Sequence, residues 1–210
     1  MASLTRKERD DKRKRREILA AALAVFAEGG FHNTTMARIS KAAQYPLGTI
    51  YKYFPGKKEM YHDLVIERVH ELGRILYDIA HRRELSVTDR LLTALKAQAR
   101  FYRDNQDVVK IYISERSNID SVGMPQLNER VNRLHERMVK LFENLFDQGI
   151  QDGVFKPFPA RDMAELFADI VHSASWSGLF RDEDQSASDR RLSMIFDMVA
   201  FGIKKQSTNE

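Results

Sequence analysis

The sequence predicts an all-α fold: a small N-terminal domain of three helices over residues 1–56, then a larger helical bundle over residues 57–210. Three observations predict it. Apolar residues recur at steps of three and four along most of the chain, and no stretch shows the alternation of a half-buried strand. Prolines number only 5 and glycines 10, while Ala, Leu, Arg, Lys and Glu, all good helix formers, are plentiful. Charge divides the chain unevenly. Residues 1–60 carry 13 Lys and Arg against 6 Asp and Glu, and the remainder carries 21 against 24.

The elements follow in order. Ile18, Leu19, Ala22, Leu23 and Phe26 make one apolar stripe, and Gly29-Gly30 stops that first helix in the usual C-terminal way. A second helix opens at Thr34 or Thr35, either of which can accept from an orphan amide, and its buried side is Met36, Ile39, Ala42 and Ala43. A third begins at Pro46, pre-set for a first helical position, and Pro55-Gly56 ends it. The fourth runs from about Lys57 to Arg82, with Met60, Leu64, Val69, Leu72, Ile75, Leu76 and Ile79 inward. Ser86–Arg103 reads as a fifth, with Leu91, Leu92, Leu95 and Tyr102 inward, and Asp107–Arg116 as a shorter sixth.

Ser117–Gln126 is a loop by its Gly, Pro, Asn and Asp content. Leu127, Val131, Leu134, Met138, Leu141 and Leu145 then form a stripe lasting to about Asp152. Two more helices are expected at about Ala160–Phe180 and Ser188–Lys205, separated by "RDEDQSASD". The last is apolar on two sides: Leu192, Ile195, Val199 and Ile203 on one, Met194, Met198 and Phe201 on the other. A helix apolar on two sides needs two partners. Because C2 dimers are the commonest assembly, a second copy of the chain is expected as the second, the alternative being that both sides meet helices of the same chain.

Composition excludes several functions. Without cysteine there is no disulfide, no thiolate metal site and no thiol redox sensing. The N-terminus opens on charge, unlike a secretory signal, and no apolar run reaches the about 18 residues of a membrane span. A cytoplasmic protein with no membrane partner is expected. Nucleotide-binding, zinc-hydrolase and nucleophile-elbow motifs are all missing, and His70-Glu71 and His135-Glu136 each lack a second His one turn on. We expect no enzyme activity, no catalytic residues, no cofactor and no metal.

The stretch "TTMARISKAAQYPLGTIYKYF" (Thr34–Phe54) carries the functional signal. Ile50 and Phe54, one turn apart, face inward and leave Leu47, Thr49, Lys52 and Tyr53 to project. Gly48 removes a side chain from the same side. Tyr hydroxyls, Lys ammonium groups and helix-end amides suit phosphate oxygens, so the outward side of this short helix is suited to lie in a duplex groove. The basic run "TRKERDDKRKRRE" next to it agrees with a polyanionic partner.

The segment resembles the DNA-binding region of the TetR family of transcriptional regulators over about residues 12–62. The resemblance rests on Thr34-Thr35, on Ile39 to Ala43, on Gly48-Thr49-Ile50-Tyr51-Lys52-Tyr53-Phe54 and on Lys57, with "VFAEGGFHNTT" as lead-in. It implies that Thr35, Tyr51 and Lys57 hold phosphates with Tyr53 assisting, and that Tyr45, Pro46, Leu47, Gly48, Thr49 and Lys52 lie in or beside the groove. Two departures stand out: Gln44 occupies the place of a glycine usual in the turn, and Pro46-Leu47 replaces a usual polar-basic pair. Base reading then leans on Leu47 against a thymine methyl and on Thr49 and Lys52.

The resemblance further implies a repressor that binds a palindromic double-stranded DNA operator as a homodimer and is released by a small-molecule effector held in the C-terminal bundle. Candidate pocket residues are Tyr77, Phe101, Tyr102, Tyr112, Met138, Phe142, His172 and Trp176, although for any single one core packing is the favoured reading. Candidate dimer residues are Trp176, Leu192, Ile195, Met198 and Val199. The rival readings are an enzyme, a DNA binder without sequence preference, and an activator.

Overall fold

The computed structural model describes residues 5–109, 125–178, 181 and 184–203. Their helices are α1 (Arg6–Gly29), α2 (Met36–Ala43), α3 (Leu47–Tyr53), α4 (Lys57–Ala80), α5 (Val87–Asp104), α6 (Pro125–Gln151), α7 (Ala160–Gly178) and α8 (Gln185–Ile203), and residues 106–109 are also helical. The described residues contain no strand, so the protein is all-α, with an N-terminal helix-turn-helix and a C-terminal helical region. The expected sixth helix beyond residue 109, Tyr112, the side chains of Leu127 and Phe201, and the expected helix ends at Phe180 and Lys205 lie outside the described residues.

Local chemistry sets most helix ends. Thr5 and Glu8 form a reciprocal capping box at the start of α1, whose first turns are charged and exposed up to Arg13, with Lys14 and Arg15 half-buried. Thr35 caps α2 by accepting from the Arg38 amide, while Thr34 is buried and donates to the Gly30 carbonyl at 2.7 Å. Pro46 sits one position before α3, not inside it as expected, and its carbonyl accepts from Thr49 and Ile50. Pro125 and Gln126, expected in the preceding loop, form the first turn of α6, where a proline's missing N–H is no loss. The last helix starts at Gln185 rather than Ser188, because Asp184 accepts from the Ala187 amide and caps it.

The chain divides into two compact units: Met1–Arg68 with Asp107–Asn128, and Val69–Gln106 with Glu129–Glu210. This division falls inside α4, while the sequence places its boundary in the Pro55-Gly56 turn ahead of it. In the first unit Ile18, Leu19, Ala22, Val25 and Phe26 of α1 are buried with Ile39, Ile50, Phe54, Met60 and Tyr61. The rings of Phe26, Phe31 and Tyr61 pack mutually at 5.3 to 6.0 Å. Ile39 is the only buried residue of α2; Met36 and Ala43 are half-buried and Ala42 is exposed, because eight residues present one narrow stripe to α1.

The second unit has one continuous core from α4 through α8, centred on Leu76, Leu91, Leu95, Phe142, Phe146, Phe167, Val171 and Leu192. In α6 the described residues of the stripe read from the sequence, Val131, Leu134, Met138 and Leu141, are half-buried, and only Leu145 of them is buried. The deepest positions are Val139, Phe142 and Phe146, one residue further round the helix, where aromatic rings reach Phe155 and Phe167.

Gln44 has φ 56 and ψ 33, the left-handed conformation. It follows α2 in a Schellman arrangement: the Gln44 amide donates to the Lys41 carbonyl and the Tyr45 amide to the Ser40 carbonyl, both at 3.3 Å. This conformation is strained for a side chain with a Cβ. Gln44→Gly should therefore stabilise the protein by up to about 1 kcal/mol in urea unfolding, the relief exceeding the entropy lost by glycine. A destabilised variant would show that the Gln44 side chain contributes more than its backbone strain removes.

Candidate nucleic-acid interface

A helix of seven residues does not persist alone. α3 is held by Ile50 and Phe54, which are 0% and 1% exposed. With that side fixed, the opposite side is fixed as well. Leu47 is 40% and Tyr51 50% exposed, Pro46, Gly48 and Lys52 are exposed, and Thr49 is half-buried. Among the described residues the Tyr51 hydroxyl, the Thr49 hydroxyl and the Lys52 ammonium make no hydrogen bond or ion pair. A Cβ added at Gly48 would meet nothing within 4 Å, so the missing side chain serves no internal packing; it bares backbone to the outside.

Side chains of α1 and α4 fix this platform from beneath. The Tyr45 hydroxyl donates to Glu17, and the Tyr53 hydroxyl donates to Asp11 at 2.9 Å. Each bond raises its tyrosine above the ordinary phenol range, and the Tyr45 bond holds Glu17 below the ordinary carboxylate range. Arg15 reaches Asp63 at 2.7 Å and Glu67 at 2.6 Å on α4 while its guanidinium lies 5.1 Å from the centre of the Phe54 ring. Ser40 donates to the Tyr45 carbonyl at 2.6 Å inside the turn.

Lys57 turns inward. Its ammonium donates to the carbonyls of Phe31, His32 and Thr34 at 2.9, 3.1 and 2.9 Å and lies 4.7 Å from the Phe31 ring centre. An ammonium has three N–H bonds, and all three are used. Of the ten residues expected at the interface, then, Thr35, Pro46, Leu47, Gly48, Thr49, Tyr51 and Lys52 are brought together with their outward groups uncommitted to side-chain partners, apart from the Thr35 cap. Tyr45, Tyr53 and Lys57 have their donors directed into the protein. That could not be read from residue type: the acceptors are two α1 carboxylates and three loop carbonyls supplied by folding.

The described candidate pocket residues have different surroundings. Phe101 and Phe142 are core, and Trp176 is half-buried. Tyr77 and Met138 line an open groove of about 330 Å³ between α4 and α6, and Tyr77 stacks on His81. The Tyr102 hydroxyl meets His172 Nδ1 at 3.0 Å. Of the candidate dimer residues, Leu192 is fully buried within its own chain, which removes it from an outer face; Ile195 and Val199 are half-buried and Met198 is 72% exposed. Among the described residues no cluster of three or more His, Cys, Asp or Glu could hold a metal, and no helix is long and apolar enough to cross a membrane.

A buried-sided short helix after a capped helix and a tight left-handed turn, with an open aromatic, basic outer side, defines a helix-turn-helix protein of the DNA-binding class. Residues 18–64 match the bacterial regulatory proteins of the tetR family, and residues 84–176 match the tetracyclin repressor-like C-terminal domain. The chain belongs to the TetR family of transcriptional regulators. It is 28% identical over 163 residues, 78% of either chain, to the HTH-type transcriptional repressor KstR2 of Mycobacterium tuberculosis. Its fold is similar to that of a tetR-family regulatory protein of Rhodococcus RHA1, with TM-score 0.70, 20% identity, and 89% and 96% of the two chains covered. It is similar too to FadR of Bacillus subtilis in complex with stearoyl-CoA, with TM-score 0.69, 17% identity, and 86% and 96% covered.

Two outcomes follow from this geometry. Lys57→Ala should destabilise the protein by about 1–3 kcal/mol in chemical unfolding, because it strands loop carbonyls; unchanged stability would return Lys57 to the list of free phosphate ligands. The lowered Glu17 pKa means that the Tyr45–Glu17 bond contributes stability above the ordinary carboxylate pKa and loses it as pH falls through the lowered value. The stability difference between the parent and Tyr45→Phe should therefore be largest near neutrality and shrink below about pH 4. A difference that is constant with pH would remove the bond from the account.

Proposed function

We propose that this regulator is a ligand-responsive repressor that binds a palindromic operator as a homodimer and is released by a small molecule. The single observation behind this reading is the outward side of α3. Leu47 and Tyr51 are large, exposed and uncovered on a helix whose other side is fully buried, beside an uncommitted Lys52 and a bare backbone at Gly48. In this reading Thr35 and Tyr51 hold phosphates, Leu47, Thr49 and Lys52 approach base edges, and Pro46 and Gly48 let the backbone come close. Tyr45, Tyr53 and Lys57 position the platform.

A palindrome requires two reading helices roughly 34–36 Å apart. The apolar surface on α7 and α8 supports pairing of two chains. Leu166 is 63% and Met198 72% exposed, Met194 is exposed, and Phe158, Ile170, Val199 and Ile203 line an almost wholly apolar groove of about 400 Å³. Surface of this kind is characteristic of an interface. Control by a small molecule has support in the FadR structure, which holds stearoyl-CoA, and repression in the KstR2 relative. The physics is a population shift: an effector that prefers the spacing that misfits DNA lowers affinity by its differential binding. α4 contributes residues to both units, so a change in its tilt is a direct route to that spacing. The protein acts in the cytoplasm without catalysis.

With the operator recovered by selection from random duplexes, Tyr51→Phe should weaken binding to operator and random DNA alike, by about threefold to tenfold. Leu47→Ala should instead lower the operator-to-random ratio. Equal affinity of the parent for both duplexes across a salt titration would reduce the protein to a binder without sequence preference.

A further inference from the structure

Among the described residues, one buried cation of the second unit makes no ion pair with an acid; the nearest reaches it through Gln148, which donates to Asp152 at 3.3 Å. Arg90 of α5 is 6% exposed, and its guanidinium donates only to neutral acceptors, the Ala80 carbonyl at 2.9 Å and Gln148 Oε1 at 3.0 Å. Its Nε–H has no partner. A buried charge is ordinarily matched by an opposite charge, because desolvation outweighs what neutral acceptors return. The carbonyls at the end of α4 offer partial negative charge, which is less than a full counter-charge.

Arg90 lines a cleft of about 490 Å³ where the end of α4, its connection to α5, and α6 meet. His81, Arg83, Asn144 and Gln148 line the same cleft, and no Asp or Glu does. Arg83 is exposed and makes no hydrogen bond or ion pair among the described residues. Two guanidiniums, an imidazole and two carboxamides thus border one concavity. Gln148 is already engaged, accepting from Arg90 and donating to Asp152 at 3.3 Å, and His81 Nδ1 meets the Tyr77 carbonyl at 2.7 Å. The groups left for a ligand are the Arg83 guanidinium, Arg90 Nε, His81 Nε2 and the Asn144 amide.

We propose that this cleft is an oxyanion site that takes a phosphate group. The polar residues come from three segments: His81 and Arg83 from the connection between α4 and α5, Arg90 from α5, Asn144 and Gln148 from α6. A tetrahedral oxyanion presents acceptors in all these directions, whereas a carboxylate presents one edge. Arg83 closes on the phosphate as a charged fork donor, and Arg90 supplies the fixed field beneath it. The site lies in the second unit and is independent of the DNA-binding reading. Inorganic phosphate and the phosphate group of a larger metabolite share this chemistry.

The test is thermal unfolding of the full chain, with inorganic phosphate exchanged for chloride at constant ionic strength. The expected result is a saturable rise in Tm with phosphate. Arg83→Gln, a change at an exposed position, should leave Tm in chloride unchanged and weaken the phosphate response tenfold or more. Arg90→Met should abolish the response; should that variant not fold, Arg83→Gln decides alone. Phenyl phosphate is the second probe. Tighter binding than inorganic phosphate supports the site with a larger phosphorylated molecule as its occupant, and equal or weaker binding supports it with free phosphate. No saturable response, a response unchanged in Arg83→Gln, or one that survives Arg83→Gln but falls in Lys52→Ala would overturn the proposal.

Discussion

The burial of Ile50 and Phe54 is the constraint on which the functional surface depends. α3 has too few residues for its own backbone hydrogen bonds to hold it, so it exists as a helix only because those two side chains are sealed into the first unit's core. Once they are placed, helical geometry leaves no freedom for the rest: Leu47, Gly48, Tyr51 and Lys52 must face outward. The strain accepted at Gln44 belongs to the same constraint, since the turn must bring α3 back across α2 within three residues.

Around this platform the protein uses its polar side chains in two different ways. Asp11 and Glu17 are acidic residues on α1, and each receives a tyrosine hydroxyl from the α2–α3 turn or the end of α3. Lys57 is a base withdrawn from the surface to gather three carbonyls of the loop between α1 and α2. Exposed ion pairs contribute little alone. These contacts differ because they fix direction: they join α1, the turn and the start of α4 so that the outward side chains of α3 are presented from a stiff base. A DNA-binding protein gains from that stiffness, because ordering required at binding weakens it.

The second unit follows another logic. Its core is continuous from α4 to α8, yet it leaves two local imbalances at its margin. One is apolar: α7 and α8 expose Leu166, Met194 and Met198, more than a helix with a single neighbour would. The other is electrostatic: Arg90 is buried against neutral acceptors beside a cleft without acids. Under the readings proposed above, a second copy of the chain relieves the first imbalance and an oxyanion the second.

Periodicity made the helices legible, and their order, their approximate ends and the all-α class follow from the sequence alone. So does the helix-turn-helix, because the one-turn spacing of Ile50 and Phe54 and the prolines flanking α3 are local facts. The Gln44 turn was less legible: without the usual glycine, only the backbone angle reveals the left-handed residue. Depth in α6 was misplaced by one residue, since the pull toward Phe155 and Phe167 is exerted from distant sequence. Most of all, residue type shows what a tyrosine or lysine can donate to, and only folding shows what it does donate to. The sequence by itself determined which groups could meet a duplex; the tertiary structure decided which remain uncommitted, because a hydrogen donor given to Asp11, Glu17 or a loop carbonyl is no longer available to a phosphate.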